Sequence, residues 1–129
     1  MSLPEPFRRI TLHLARNEEF PNGSDRHGYV IVAPLDEMDR FDVAQWRANR
    51  ELCRVRRFTA GEEDEMGRLV RRGSGAWVID YDPDRDEDDE AGYRLGDHAI
   101  RVGEYVSITD EEGDLQTYRI AAVDDGELG

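Results

Sequence analysis

The sequence predicts a mainly β protein: a small barrel or strongly curved antiparallel sheet carrying a single α-helix. Three observations predict it. Short stretches of alternating apolar and polar residues recur along the chain, glycine-rich turns separate them, and one stretch alone combines helical spacing with a cap. The 129 residues suffice for one domain with its own core, without metals or disulfides as staples. The expected layout is an N-terminal extension over 1–6, a β-rich domain over 7–123 and a flexible acidic tail over 124–129.

Phe7 to Ala15 alternates cleanly, with Ile10, Leu12 and Leu14 on one side and Thr11, His13 and Ala15 on the other. That is the pattern of a half-buried strand. Asn17 to Gly28 reads as a loop or wide hairpin connection, because Pro21-Asn22-Gly23-Ser24 is strong turn chemistry. Tyr29 to Ala33 then forms a more fully buried strand that Pro34 ends.

The helix is expected to start at Asp42, whose side chain can cap free amides while Gln45 reaches back. Phe41, Ala44, Ala48 and Leu52 fall near one face. Arg47 and Arg50 lie toward the C-terminal end, where the helix dipole favours cations. Alternation returns over Cys53 to Phe58, with Cys53 and Val55 facing one way and Arg54 and Arg56 the other.

Residues 62–73 fit either a short helix or a hairpin arm. Gly67 falls mid-segment, where it costs a helix about 1 kcal/mol relative to alanine. Gly73-Ser74-Gly75 also separates Arg68–Arg71 from Ala76–Tyr81, so the hairpin is the better reading. Shorter strand-like pieces follow around Tyr93–Leu95 and His98–Val102. The last hairpin is the clearest: Tyr105–Thr109 and Gln116–Val123 flank a turn in which Gly113 can take a positive φ.

Charge is distributed unevenly. The net charge is −13, and residues 80–129 hold all of that excess, whereas residues 1–79 balance to zero. The run Asp80-Tyr81-Asp82-Pro83-Asp84-Arg85-Asp86-Glu87-Asp88-Asp89-Glu90 is predicted to be an acidic loop over 82–90, repelling itself and attracting cations or basic surfaces. A pI near 4.6 argues against nucleic-acid backbones and anionic membranes as partners. The opening residues have neither the basic region nor the apolar stretch of a secretory signal. One cysteine, Cys53, excludes an internal disulfide and fits a reducing cytoplasm. All 17 basic residues are arginine, which removes lysine chemistry from consideration.

Candidate chemistry is sparse. Asp80, Asp82 and Asp84 have the one-three-five spacing that opens an EF-hand loop, but Arg85 stands where that loop needs glycine and Ala91 where it needs glutamate. An irregular calcium or magnesium site on Asp80, Asp82, Asp84 and Asp86 is the remaining cation reading. The bland alternative is a solvated loop that aids solubility and discourages edge pairing. His13, His27 and His98 lack metal-ligand spacing. Cys53 is better read as a small buried apolar residue than as a nucleophile. The arginines of 47–57 and 68–72 serve either to neutralise acids or as an anion-binding patch.

The expected function is therefore a cytoplasmic, non-enzymatic interaction module. Its acidic C-terminal half would contact a basic protein partner through Asp86, Glu87, Asp88, Asp89, Glu90 and Tyr93. A weak divalent-cation-binding protein is the second expectation. An enzyme with a cleft between barrel and helix is the third.

Overall fold

The computed structural model describes residues 6–73, 75–81, 90–93, 95–110 and 112–125. Eight antiparallel strands form a closed up-and-down barrel, each paired with its sequence neighbour, and β8 returns to β1. They are β1 (Phe7–Leu14), β2 (Ser24–Pro34), β3 (Arg54–Phe58), β4 (Glu65–Arg71), β5 (Trp77–Asp80), β6 (Glu90–Tyr93), β7 (Tyr105–Thr109) and β8 (Leu115–Asp124). The one α-helix among the described residues, α1 (Val43–Ala48), lies between β2 and β3. None of the described helices is long and apolar enough to cross a membrane.

Alternation builds the interior. Ile10 opposes Ile31, which opposes Val55; Leu12 opposes both Tyr29 and Ile120; Leu69 opposes Ile79. All of these are buried and belong to one core. Eight strands leave an interior that side chains fill, or that holds one small ligand.

Up-and-down topology gives the barrel two unlike ends. The helix end carries the β2–β3, β4–β5 and β6–β7 connections, together with the start of β1 and the close of β8. Here α1 acts as a plug. Asp42 caps it by accepting a hydrogen bond from the Gln45 amide at 3.0 Å. Trp46 Nε1 donates to the Leu69 carbonyl at 2.9 Å, and Phe41 and Trp46 both meet Trp77 edge-to-face. A Cβ at Gly96 would lie 2.8 Å from Trp77 Nε1, so glycine lets that backbone lie against the indole.

Several expectations need correction. The helix is only six residues long, and Ala44 and Ala48 are exposed; Trp46 is the helical residue that is buried. Ser24–His27, read as loop, begins β2. His98–Val102 forms no strand, because Leu95–Asp97 is a 3-10 turn and Ile100 instead donates its amide to the Asp39 carbonyl at 2.7 Å. Glu90 begins β6 and Asp124 ends β8, so the expected acidic loop and tail each give one residue to the sheet. The 62–73 region contains β4, hairpin-paired with β5 as expected.

Candidate functional site at the polar end of the barrel

Inward parity carries several charged and phenolic side chains into the barrel opposite the helix. Cys53, just before β3, and Val55 on it are followed inward by Arg57, whose register partner on β2 is Tyr29. On β6, Glu90 opposes the buried Ile79. Tyr81 ends the β5 arm beside Gly67, where a Cβ would lie 3.0 Å from the Tyr81 ring. Tyr118, opposite Val106 on β8, meets Tyr29 edge-to-face at 5.1 Å.

Glu90 is the centre of this cluster, with 0% of its surface exposed. Tyr29 donates its hydroxyl to Glu90 Oε1 at 2.9 Å, and the Tyr81 hydroxyl donates to the same oxygen. Arg57 Nη1 lies 3.0 Å from Oε2 while keeping 24% of its own side chain exposed. A carboxylate so far from water is tolerable only when paired and hydrogen-bonded. Removing one member of a buried pair typically costs about 3–5 kcal/mol, because the other charge is left without compensation.

Titration of the neighbours follows from the same burial. Desolvation raises the Tyr29 phenol far above its usual value, with Tyr118 and Glu90 adding to it. Tyr81 is raised by burial and then by Glu90, and Tyr118 chiefly by burial. Burial opposes the charge on Arg57, yet negative charge on Tyr29 and Glu90 outweighs it and holds the guanidinium protonated. At neutral pH the phenols are uncharged, so Glu90 supplies that attraction. Chemically the cluster is a set of donors gathered around one buried anion.

Arg57 also lines a mouth of about 200 Å³ with Glu19, Phe20, Phe58, Asp110 and Tyr118. The connections around it are acid-rich. Glu18 and Glu19 follow β1; Glu62, Glu63 and Asp64 follow β3; Glu112 and Asp114 follow β7, and all seven are exposed. Asp110, Glu112 and Asp114 bring carboxylate oxygens within 4.8 Å of one another. Asp110 Oδ1 meanwhile accepts the Glu112 and Asp114 amides at 3.0 and 2.9 Å, which shapes the turn. Asn17 Oδ1 accepts the Phe20 amide at 2.7 Å and fixes the loop on the other side.

The residues expected to form sites fare differently. Asp80 is largely buried and pairs with Arg72 at 3.4 Å, so its carboxylate is engaged in an ion pair. Asp82, Asp84, Asp86, Glu87, Asp88 and Asp89 lie outside the described residues. Glu90 is corrected: it is sealed inside the barrel and is no surface contact for a partner. Tyr93 ends β6 toward the helix end, whereas Glu90 starts the same strand at the polar end. Trp77 is core, as its alternation implies. Cys53 is fully buried, and burial, with Glu51 adding to it, pushes its thiol up to about 12.

The Arg57–Glu90–tyrosine cluster was missed by the sequence reading. Its one available signal was parity, since Cys53, Val55 and Arg57 are successive residues on a single face. No protein-family model, curated protein or solved structure matches this chain.

Proposed function

We propose that this barrel is a non-enzymatic interaction module that receives a basic segment of a protein partner at its polar end. One observation carries the reading: the acid-rich connections after β1, β3 and β7 stand around a concave, aromatic-lined mouth. Carboxylates at that end attract and orient an arginine- or lysine-rich segment over a distance set by ionic strength. Phe20, Phe58 and Tyr118 offer ring faces and edges to the alkyl stem of a basic side chain, and Asp110 and Glu19 accept from its charged head. Arg57 does not repel it strongly, because Glu90 already balances its charge.

A fluorescein-labelled arginine-rich peptide and a glutamine-for-arginine control test this by fluorescence anisotropy. Two fourfold variants are compared. One replaces Glu18, Glu19, Glu112 and Asp114 with their amides; the other does the same to Glu37, Glu51, Glu104 and Asp125. All eight are exposed, and both variants lose equal charge. The first set is expected to weaken binding roughly tenfold or more, and the second much less. Equal losses from both sets would mean that net charge alone attracts the peptide, and would sink the proposal.

The second reading is a divalent-cation site. Its support has moved from Asp80 to the β7–β8 turn, where Asp110, Glu112 and Asp114 converge. Calcium takes six to eight oxygens, so three carboxylates on one exposed turn support weak binding at most.

A further inference from the structure

A second concavity lies on the outer face of the barrel. It is a groove of about 940 Å³ whose lining includes His13, Arg16, Arg26, Tyr105 and Arg119. Register sets its floor: His13 on β1 opposes Arg119 on β8, and Arg119 opposes Tyr105 on β7. Directly opposed residues on neighbouring strands have Cβ atoms about 4.5–5.5 Å apart, so the three form a row across the sheet.

An interruption in strand pairing builds the wall. His13 pairs with Gly28, but the next residue, Leu14, pairs with Ser24, so Asp25, Arg26 and His27 bulge from the ladder. Bulges of this kind re-aim side chains. The bulge is fastened by Ser24 Oγ, which accepts the Arg26 amide at 3.2 Å and lies 3.0 Å from His27 Nδ1. Gly23 precedes it with φ +73°, and a Cβ there would lie 2.7 Å from the Leu14 carbonyl oxygen.

The charges in the groove run against the rest of the molecule. Five arginines elsewhere lie beside carboxylates: Arg9 with Asp124, Arg56 with Asp64, Arg57 with Glu90, Arg72 with Asp80 and Arg101 with Asp39. The guanidinium groups of Arg16, Arg26 and Arg119 make no hydrogen bond or ion pair with a described residue. Asp25 is the one acid in the lining, so the groove stays positive in a chain with 30 acids. Three like charges in one concavity repel each other, and an anion relieves that repulsion. Guanidinium groups match phosphate oxygens bidentately, and Tyr105, 55% exposed, presents a ring for stacking.

We propose that this groove binds a small organic phosphate carrying a flat ring, about the size of a nucleotide. Arg26 and Arg119 hold the phosphate groups, Arg16 closes on them from the β1–β2 loop, and Tyr105 stacks on the ring. The volume is within the range of about 300–1,000 Å³ usual for small-molecule sites. The site is separate from the mouth, and does not depend on the partner proposed there.

Isothermal titration with ADP, ribose 5-phosphate and adenosine tests the assignment. ADP is expected to bind, ribose 5-phosphate more weakly, and adenosine weakest. The R26Q/R119Q double variant should weaken ADP by roughly tenfold or more. Y105A should weaken ADP while leaving ribose 5-phosphate unchanged. These side chains are exposed, so circular dichroism melts of both variants should match the parent. No ADP binding at millimolar concentration, or binding indifferent to R26Q/R119Q, overturns the proposal. So does a dimer seen by sedimentation that R26Q/R119Q abolishes without any ADP binding, since the groove would then be an interface between copies of this chain.

Discussion

Glu90 can stay charged inside the barrel because Arg57, Tyr29 and Tyr81 all address it, and this arrangement fixes how the protein responds to alkali. Tyr29 and Tyr81 ionise in the fold well above the ordinary 10.0, and burial raises Tyr118 as well. A group raised in the folded state contributes stability that is whole below its unfolded value and lost as pH climbs past it. The decline therefore begins near pH 9 with Cys53, whose thiol moves from 9.0 to about 12, and steepens above pH 10 with the phenols. Tyr29, Tyr81 and the Cys53 thiol together amount to about 4 kcal/mol per pH unit once their unfolded counterparts are ionised. Against a usual stability of about 5–15 kcal/mol, the fold should fail within roughly one to three units above pH 10. Phenolate absorbance and far-ultraviolet circular dichroism, followed together, check this. The three buried phenols should ionise in one cooperative step that coincides with loss of strand signal. Smooth ionisation of all five tyrosines with the dichroism intact would contradict it.

Among the elements, α1 is held mainly by what it covers. A six-residue helix is too short to be stable by propensity, so docking of Trp46 should outweigh its cap. Asp42→Ala removes one capping bond, worth about 1 kcal/mol. Trp46→Phe strands the buried Leu69 carbonyl at about 1–3 kcal/mol, and loses indole contact with Trp77 besides. Urea unfolding should show W46F as the costlier change; the reverse order would mean that α1 stabilises itself rather than plugging the barrel. The same contrast explains what could be read in advance. Ile10, Leu12 and Leu14, the Gly113 turn at φ +88° and the Asp42 cap are local patterns, and each was legible. The buried face of α1 was not, since one indole docking on a barrel end leaves no 3.6-residue periodicity. Pairing of β1 with β8 joins residues as far apart as Arg9 and Asp124, beyond any local signal. In the candidate site, the parity of Arg57 was visible but its meaning was not. Alternation assigns charged residues outward, and only the closed sheet brings Arg57, Glu90 and Tyr29 to one point.

For the whole molecule, barrel closure changes what the acids can be for. A closed sheet has no free edge to protect, so discouraging edge pairing is no longer a reason for acidic residues beside β5 and β6. What remains is an uneven field: net −13 overall, with acid-rich connections at one end and unpaired arginines in one outer groove. Self-repulsion of that magnitude destabilises the compact state, and salt screens it, with a Debye length of about 10 Å at 0.1 M and about 3 Å at 1 M. Salt also weakens ion pairs, but Arg9–Asp124 and Arg101–Asp39 are exposed pairs, each worth about 0–1 kcal/mol. The Arg57–Glu90 pair is screened far less, because Glu90 is fully buried. Repulsion should therefore dominate, and sodium chloride should raise the melting midpoint by several degrees, about 3–5 °C per kcal/mol gained for a chain of this size. Calcium and magnesium at matched ionic strength separate the two binding readings. Equal rises for all three salts fit general screening and leave the acidic end to a basic partner. An excess rise with calcium that Glu112→Gln abolishes would favour the cation site on the β7–β8 turn. A midpoint that falls as sodium chloride is added would show that attractive pairs outweigh the repulsion, and the field ascribed to the polar end would be too weak to steer a partner.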